Sequence, residues 1–226
     1  MSELILIEKP NSALSEEIKK VRTNLKFSSV NDNLKVIMLT SSLPGEGKSF
    51  ISANLAVSFA QAGEKVLVID CDLRKGRTKK IFKIPPQVEG LSDLLINKKW
   101  DSEYVEYIQK TEVENLDIIV SGSYPPNPSE LLASERFQKV LSKLKSSYDI
   151  IILDCPPIVG LNDALVVANQ ADISILVVKF KSTSMEVLEK SKKELENVGA
   201  KIAGVIINQS AMNDNKYYYN GGYYKD

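Results

Sequence analysis

Nine residues constrain this chain more than any others: Ser41-Ser42-Leu43-Pro44-Gly45-Glu46-Gly47-Lys48-Ser49. An apolar run, Val36-Ile37-Met38-Leu39-Thr40, precedes them, and a helix-like run from Phe50 to Ala62, stopped at Gly63, follows. Strand, glycine-containing loop, Gly-Lys-Ser and helix is the setting a phosphate-binding loop requires. There, backbone N–H groups of the loop and of the helix N-terminus point at phosphates. Lys48 is placed to reach the β- and γ-phosphates, and the Ser49 hydroxyl to bind Mg²⁺. The G-x-x-x-x-G-K-[ST] pattern is imperfect, because its first glycine falls on Ser42. The competing reading is an ordinary glycine-rich βα turn; the strand before and the helix after favour the phosphate loop.

At 226 residues the chain fits one α/β domain with a full core. Lys+Arg and Asp+Glu balance at 29 each, so no overall field favours nucleic acid. The absence of histidine removes His general bases and His metal ligands. Only Cys71 and Cys155 occur, which fits a reducing cytoplasm without a disulfide framework. No apolar run approaches the roughly 18 residues of a transmembrane helix and no signal peptide is visible, so a membrane role is expected to go through a partner.

In chain order, residues 1–12 read as a short polar-flanked arm. Ser12 or Ser15 is placed to cap a helix from about Glu16 to Ser28, with Leu14, Ile18, Val21 and Leu25 on one face. Glu16, Lys19 and Arg22 line up along one side, which composition alone reads as a solvated face. In the helix after the loop, Ala53, Leu55, Ala56, Phe59 and Ala60 form the expected buried side.

Lys65 to Asp70 is a continuously apolar strand of the kind covered on both faces of a parallel sheet. It runs into Asp70-Cys71-Asp72-Leu73-Arg74. Carboxylates at strand ends beside a phosphate loop can hold Mg²⁺ through water and orient a nucleophile. Asp149 to Asp154 is a second buried strand ending in a carboxylate, followed by Cys155-Pro156-Pro157. Cys71 and Cys155 read best as small buried hydrophobes. Further strands are expected at 116–120, 173–178 and 202–207, and helices at 162–170, 184–197 and from Ser129, with a break, to about Lys145. Gly90 to Leu95 reads as a capped helical turn. Asn208 closes the last strand, where it is a candidate for contact with a nucleotide base. Ser123 to Pro128 is a stiff turn, since each proline fixes φ.

The end changes character. Five of nine tyrosines, Tyr217, Tyr218, Tyr219, Tyr223 and Tyr224, fall in the last ten residues, with Gly221-Gly222 between them. No period there would bury them. The segment reads as a sticky tail, as a strand added to a partner, or as the substrate of the chain's own phosphate-loop site.

Together these pieces resemble the bacterial tyrosine kinases of the capsule and exopolysaccharide type (CapB/CpsD). The resemblance covers essentially the whole length. It rests on residues 41–49, on Val66 to Arg74 as a second Walker A-like motif, and on Ile150 to Pro157 as a Walker B-like one. It rests further on Pro125-Pro126-Asn127-Pro128-Ser129-Glu130-Leu131, Arg22 to Phe27 and the terminal tyrosines. It implies the fold of the MinD/ParA-like P-loop NTPases: a single α/β domain with a mostly parallel sheet flanked by helices. The implied layout is an N-terminal arm and oligomerisation helix at 1–30, a kinase domain at 31–210 and a flexible tail at 211–226. The implied activity is transfer of the ATP γ-phosphate to tail tyrosines of a neighbouring subunit. ATP·Mg²⁺ would sit on Pro44, Gly45, Glu46, Gly47, Lys48, Ser49 and Phe50, with Ser49, Asp70 and Asp154 holding the metal and Asp72 accepting the tyrosine proton. Arg74 would support charge or a subunit contact. The implied partners are a membrane adaptor that recruits and activates the kinase at the inner face of the cell membrane, a cognate tyrosine phosphatase, and further copies of the chain. Assembly in the family uses an E-x-x-R-x-x-R motif, whose positions are held here by Glu16, Lys19 and Arg22; the central lysine departs from it and lacks the guanidinium fork.

Two other classes compete. A partition or division-site ATPase of the MinD/ParA type carries a signature lysine early in the loop, where this chain has Leu43. A catalytically idle ATP-binding partner would bind nucleotide and transfer nothing.

Overall fold

A computed structural model describes residues 3–28 and 34–209. The strands are β1 (Val36–Ser41), β2 (Val66–Asp70), β3 (Gln109–Lys110), β4 (Leu116–Ile119), β5 (Ile150–Asp154), β6 (Ile173–Lys179) and β7 (Ile202–Asn208). The α-helices are α1 (Ile5–Glu8), α2 (Ala13–Ser28), α3 (Lys48–Gln61), α4 (Thr78–Ile81), α5 (Leu91–Ile96), α6 (Trp100–Glu103), α7 (Pro128–Ala133), α8 (Glu135–Ser147), α9 (Asp163–Ala168) and α10 (Met185–Asn197). A 3₁₀ turn spans Tyr104–Tyr107.

The strands form one sheet in the order β3-β4-β2-β5-β1-β6-β7, parallel throughout except for β3. The expected α/β architecture is therefore present. The interior strands are buried on both faces because successive side chains alternate between two cores. Val36, Met38, Leu67 and Ile69 join the core under α5 and α7–α10, while Ile37, Leu39, Val66 and Val68 join the core under α1–α4. β3 has no apolar pattern and was not expected; it is a two-residue edge pairing with β4.

The described part of the 1–12 arm packs into the fold. Leu4 and Leu6 are buried in the same core as Ile18, Leu25, Leu55 and Phe59. Asn54 on α3 clamps the segment, donating to Glu3 O (2.8 Å) and accepting the Leu6 N–H (3.4 Å). Covered by the sheet on one side and by α1 and α2 on the other, α3 is buried nearly all round, including Ser52, Asn54 and Ser58, rather than along one stripe. Helix α2 starts three residues earlier than expected: the Ser12 hydroxyl accepts the Ser15 N–H (3.2 Å) and caps it. Leu14 departs from the expected face and is exposed.

The ridge on α2 is only partly a solvated face. Lys19 pairs with Glu16 at 2.7 Å. Arg22 turns inward, and its Nη1 donates to Ser58 O at 2.7 Å. The expected break after Ser129 lies at Ser134, whose side chain accepts the Phe137 N–H and starts α8. Trp100, Tyr104 and Tyr107 pack against the core. The tail tyrosines, Tyr217 to Tyr224, lie outside the described residues. Among the described residues, no helix is long and apolar enough to cross a membrane.

Candidate active site

The sheet order decides the site. Strand β5 lies between β1 and β2, so the phosphate loop after β1 and the carboxylates ending β2 and β5 meet at one carboxyl edge. Asp70 and Asp154 are register partners on adjacent parallel strands, which puts their backbones about 4.8 Å apart.

The loop has the shape its glycines allow. Gly45 and Gly47 sit at φ 80° and 90°, where a side chain is strained, and a Cβ on Gly47 would fall 2.0 Å from Asn208 Nδ2. Glu46, expected among the nucleotide-binding residues, turns its side chain into the protein: it is buried, and it accepts the Leu43 N–H (2.8 Å) and the Thr183 hydroxyl. Its contribution to the loop is that clamp, tying the loop to the end of β6. Asn208 is engaged with the phosphate loop. Its side-chain NH₂ donates to Glu46 O (2.9 Å) and its oxygen accepts the Gln209 N–H (2.8 Å). A cavity of about 940 Å³ opens beside the loop, lined by Gly45, Gly47, Phe50 and Asn208 together with α2 and β7. Lys48 and the carboxylates do not line it, so it is not where the phosphate chemistry is placed.

Lys48 begins α3 and is buried among Asp70, Asp72 and Asp154, which have at most 5 % exposure. Its Nζ lies 3.0 Å from Asp72 Oδ2 and 3.4 Å from Ser49 Oγ. Burial works against its charge, but the attraction of Asp154, Asp72 and Asp70 is stronger and holds Lys48 protonated well above its ordinary value. Asp70 is pushed up to about 7, by burial first and by the neighbouring Asp154 second, against the Thr78 hydrogen bond that favours its charge. Thr78 holds it from both its N–H (3.1 Å) and its hydroxyl (2.6 Å). Asp154 Oδ1 takes the Ser52 hydroxyl at 3.0 Å, whereas its Oδ2 is buried without a hydrogen-bond partner. A buried, unpartnered carboxylate oxygen beside a second carboxylate is a strong acceptor waiting for positive charge. The donor set therefore fits a divalent cation.

The sign of the pH effect follows. Asp70 rises from its ordinary 3.8 to about 7, so the fold favours its protonated form. That stabilising contribution is fully present below about 4 and is lost as pH rises through about 7. A cation needs both carboxylates ionised, so it competes with that proton. Mg²⁺ together with ATP is expected to raise the melting temperature several degrees more than ATP alone at pH 8, and the difference is expected to shrink by pH 6. Thermal melts at the two pH values with and without Mg²⁺ check this; an equal gain at both would contradict a cation site on this pair.

Two expectations about neighbours of the site are settled by the geometry. Cys71 and Cys155 are free and fully buried, and burial together with the adjoining Cys155 pushes the Cys71 thiol up, as suits small core residues. Arg74 is engaged within its own chain. Its Nε and Nη2 grip Asp163 at 2.7 and 3.2 Å. Asp163 was missed in the sequence, where it stands at the start of an ordinary amphipathic segment with no motif around it.

The AAA domain family model matches residues 34–207. The chain is 39% identical to the putative tyrosine-protein kinase CapB of Staphylococcus aureus over 97% of this chain and 94% of that protein. It is likewise 39% identical to the tyrosine-protein kinase YwqD of Bacillus subtilis over 98% and 90%. The crystal structure of the chimerical protein CapA2B2 superimposes with a TM-score of 0.87 at 40% identity, covering 93% of this chain and 91% of that one. The septum site-determining protein MinD of Pyrococcus horikoshii matches at a TM-score of 0.66 and 26% identity over 80% and 72%. The division-site ATPases thus share the P-loop architecture at greater distance, and that alternative is not favoured. This chain belongs to the bacterial tyrosine kinases of the CapB type.

Proposed function

We propose that this kinase binds ATP·Mg²⁺ on the 44–50 loop and transfers the γ-phosphate to tyrosines of the 217–224 segment of a neighbouring subunit. The observation that carries the reading is one buried ammonium, Lys48, held among the carboxylates of Asp70, Asp72 and Asp154 at the ends of adjacent parallel strands. Lys48 and the loop amides would neutralise the phosphate charge that develops during transfer. Mg²⁺ would be held by Ser49 and through water by Asp70 and Asp154, and would supply further positive charge to the phosphates. Among the described residues no three His, Cys, Asp or Glu groups form a metal cage, and a magnesium ion that arrives with its nucleotide needs none.

The tyrosine oxygen forms the new bond to the γ-phosphorus, the bond to the β–γ bridging oxygen breaks, and the phenolic proton passes to Asp72. Asp72 now shares a proton-bearing contact with Lys48. When Lys48 turns to the phosphates, that carboxylate becomes the available acceptor. Asp72→Asn is therefore expected to lower transfer far more than ATP affinity; equal losses in both would contradict the role. Incubation with labelled ATP and Mg²⁺ tests the whole reading: phosphotyrosine supports it, free phosphate alone indicates an ATPase, and neither indicates an idle binding partner.

The wider setting belongs to the same reading. The activator would be the cytoplasmic end of a membrane adaptor, which places the kinase at the inner face of the membrane, and a cognate phosphatase would reverse the modification during capsular or exopolysaccharide synthesis. Names of relatives support this context rather than any contact of this chain. Assembly would use Glu16, Lys19 and Arg22 on α2. Since Arg22 already spends one nitrogen on Ser58, Glu16 and Lys19, paired with each other at the surface, would form the outward part of that contact, and the solution mass of their double alanine variant reads it.

A further inference from the structure

Among the described residues outside the cluster around Lys48, Asp163 is the carboxylate with 0 % exposure. Three segments distant in sequence converge on it. Arg74, from the loop after β2, donates through Nε and Nη2 at 2.7 and 3.2 Å. Ser129, from the proline-rich 125–131 segment, donates its hydroxyl to Oδ1. Asp163 itself is the first residue of α9, in the stretch that follows β5 and its Asp154. Burial alone would raise the Asp163 carboxyl, but the bonds from Arg74 and Ser129 outweigh it and hold the group below its ordinary value. A charged acceptor gripping a guanidinium by two parallel bonds is among the stronger and more directional contacts a fold can make. Pro128, buried at the start of α7, stiffens the backbone that presents Ser129.

We propose that Asp163 and Ser129 are positioning residues for phosphate transfer: they clasp Arg74 and thereby keep Asp72, two residues earlier, aimed at the incoming tyrosine. The proposal rests on the reading of Asp72 as proton acceptor. The reason lies in what holds the Asp72 loop. The Asp72 side chain has two partners, Lys48 Nζ at 3.0 Å and the Lys75 N–H at 2.9 Å. The second lies in the same loop and cannot anchor it. The first leaves when Lys48 engages phosphate. From then on residues 72–75 are held by the Asp72 N–H on Asp70 Oδ1 (3.1 Å), by Leu73 buried in the core and by Arg74 on Asp163, and the Arg74 pair is the charged, two-pronged contact among them. The clasp thus matters most at the chemical step and little for nucleotide binding. It also explains why a proline-rich turn belongs to a phosphate-transfer site that it does not touch.

The test compares Asp163→Asn, Ser129→Ala and Arg74→Lys with Asp72→Asn, measuring tyrosine transfer and, separately, ATP affinity. Asp163→Asn is expected to lower kcat about 10- to 100-fold, the effect of an ångström-scale misplacement, with ATP affinity within about threefold of the parent. Ser129→Ala is expected to do the same more weakly. On the Asp72→Asn background, Asp163→Asn is expected to add almost nothing, since both act through one group. Equal losses in kcat and ATP affinity, or full multiplication of the two losses in the double variant, would overturn the proposal. Arg74→Lys keeps the charge and loses the fork. Wild-type kcat in that variant overturns the clasp even where Asp163→Asn does not fold. If Asp72→Asn transfers phosphate normally, the underlying assignment of Asp72 fails and the clasp falls with it; if Asp72→Asn is impaired and Asp163→Asn is not, only the clasp fails.

Discussion

Lys48→Met is expected to abolish tyrosine phosphorylation, with a loss of at least about 100-fold, because it removes the positive side chain proposed to engage the β- and γ-phosphates. The structure adds a second consequence. From the sequence, Lys48 is a site residue whose loss should leave the fold intact. In the structure it is buried, and it is the cation that faces Asp70, Asp72 and Asp154. Taking it away leaves negative charge buried without a counter-charge, which is more costly than never having had the pair. The variant is expected to fold but to melt several degrees lower at pH 8. The deficit should narrow toward pH 6, because Asp70, already pushed up to about 7, can take a proton in place of the missing cation's field. Melting curves across that range, alongside a phosphotyrosine assay, read both effects. Retained phosphorylation would remove the central assignment, and a pH-independent deficit would remove the electrostatic explanation.

Deletion of residues 216–226 is expected to leave ATP binding unchanged and to eliminate autophosphorylation. Mixed with the Lys48→Met protein, the truncated protein is expected to phosphorylate that protein's intact tail. The geometry makes this possible. The phosphate loop, Asp70, Asp154 and Asn208 all follow or end parallel strands, so they share one edge of the sheet, and the chain leaves β7 on that edge. The 18 residues from Asn208 to Asp226 span at most about 60 Å when extended at ~3.3 Å each. That length reaches a neighbour's site and also its own, so reach does not choose between them; the mixing experiment does. If the mixture stays unphosphorylated while the intact protein is active, the tail is modified within its own chain.

Much of the site was legible because parallel α/β sheets write their chemistry at strand ends. A covered strand is continuously apolar, so the first charged residue after Val66-Leu67-Val68-Ile69 or Ile150-Ile151-Ile152-Leu153 marks where the strand surfaces. Gly47-Lys48-Ser49 between a strand and a helix is local in the same way, since its geometry depends on neighbours in sequence. The amphipathic helices were found to within a few residues for that reason. The sequence by itself therefore determined the strand–loop–helix units, the identity of Lys48, Asp70, Asp72 and Asp154, and the family.

Only the tertiary structure decided how those units meet. Nothing local says that β5 enters the sheet between β1 and β2, yet that order places Asp154 beside Asp70 and both beside Lys48. Burial first, and Asp154 beside it second, push the Asp70 carboxyl up, and that neighbour is a fact of register rather than of composition. The contacts that redirected Arg74, Asn208, Glu46 and Arg22 span 89, 162, 137 and 36 positions in sequence. Each of these side chains looked free because a long polar side chain can reach in many directions, and only the packed fold shows which partner it finds. Asp163 is the extreme case. It has no sequence pattern of its own, and its partners Arg74 and Ser129 come from two segments distant in sequence that meet it where its carboxylate is buried.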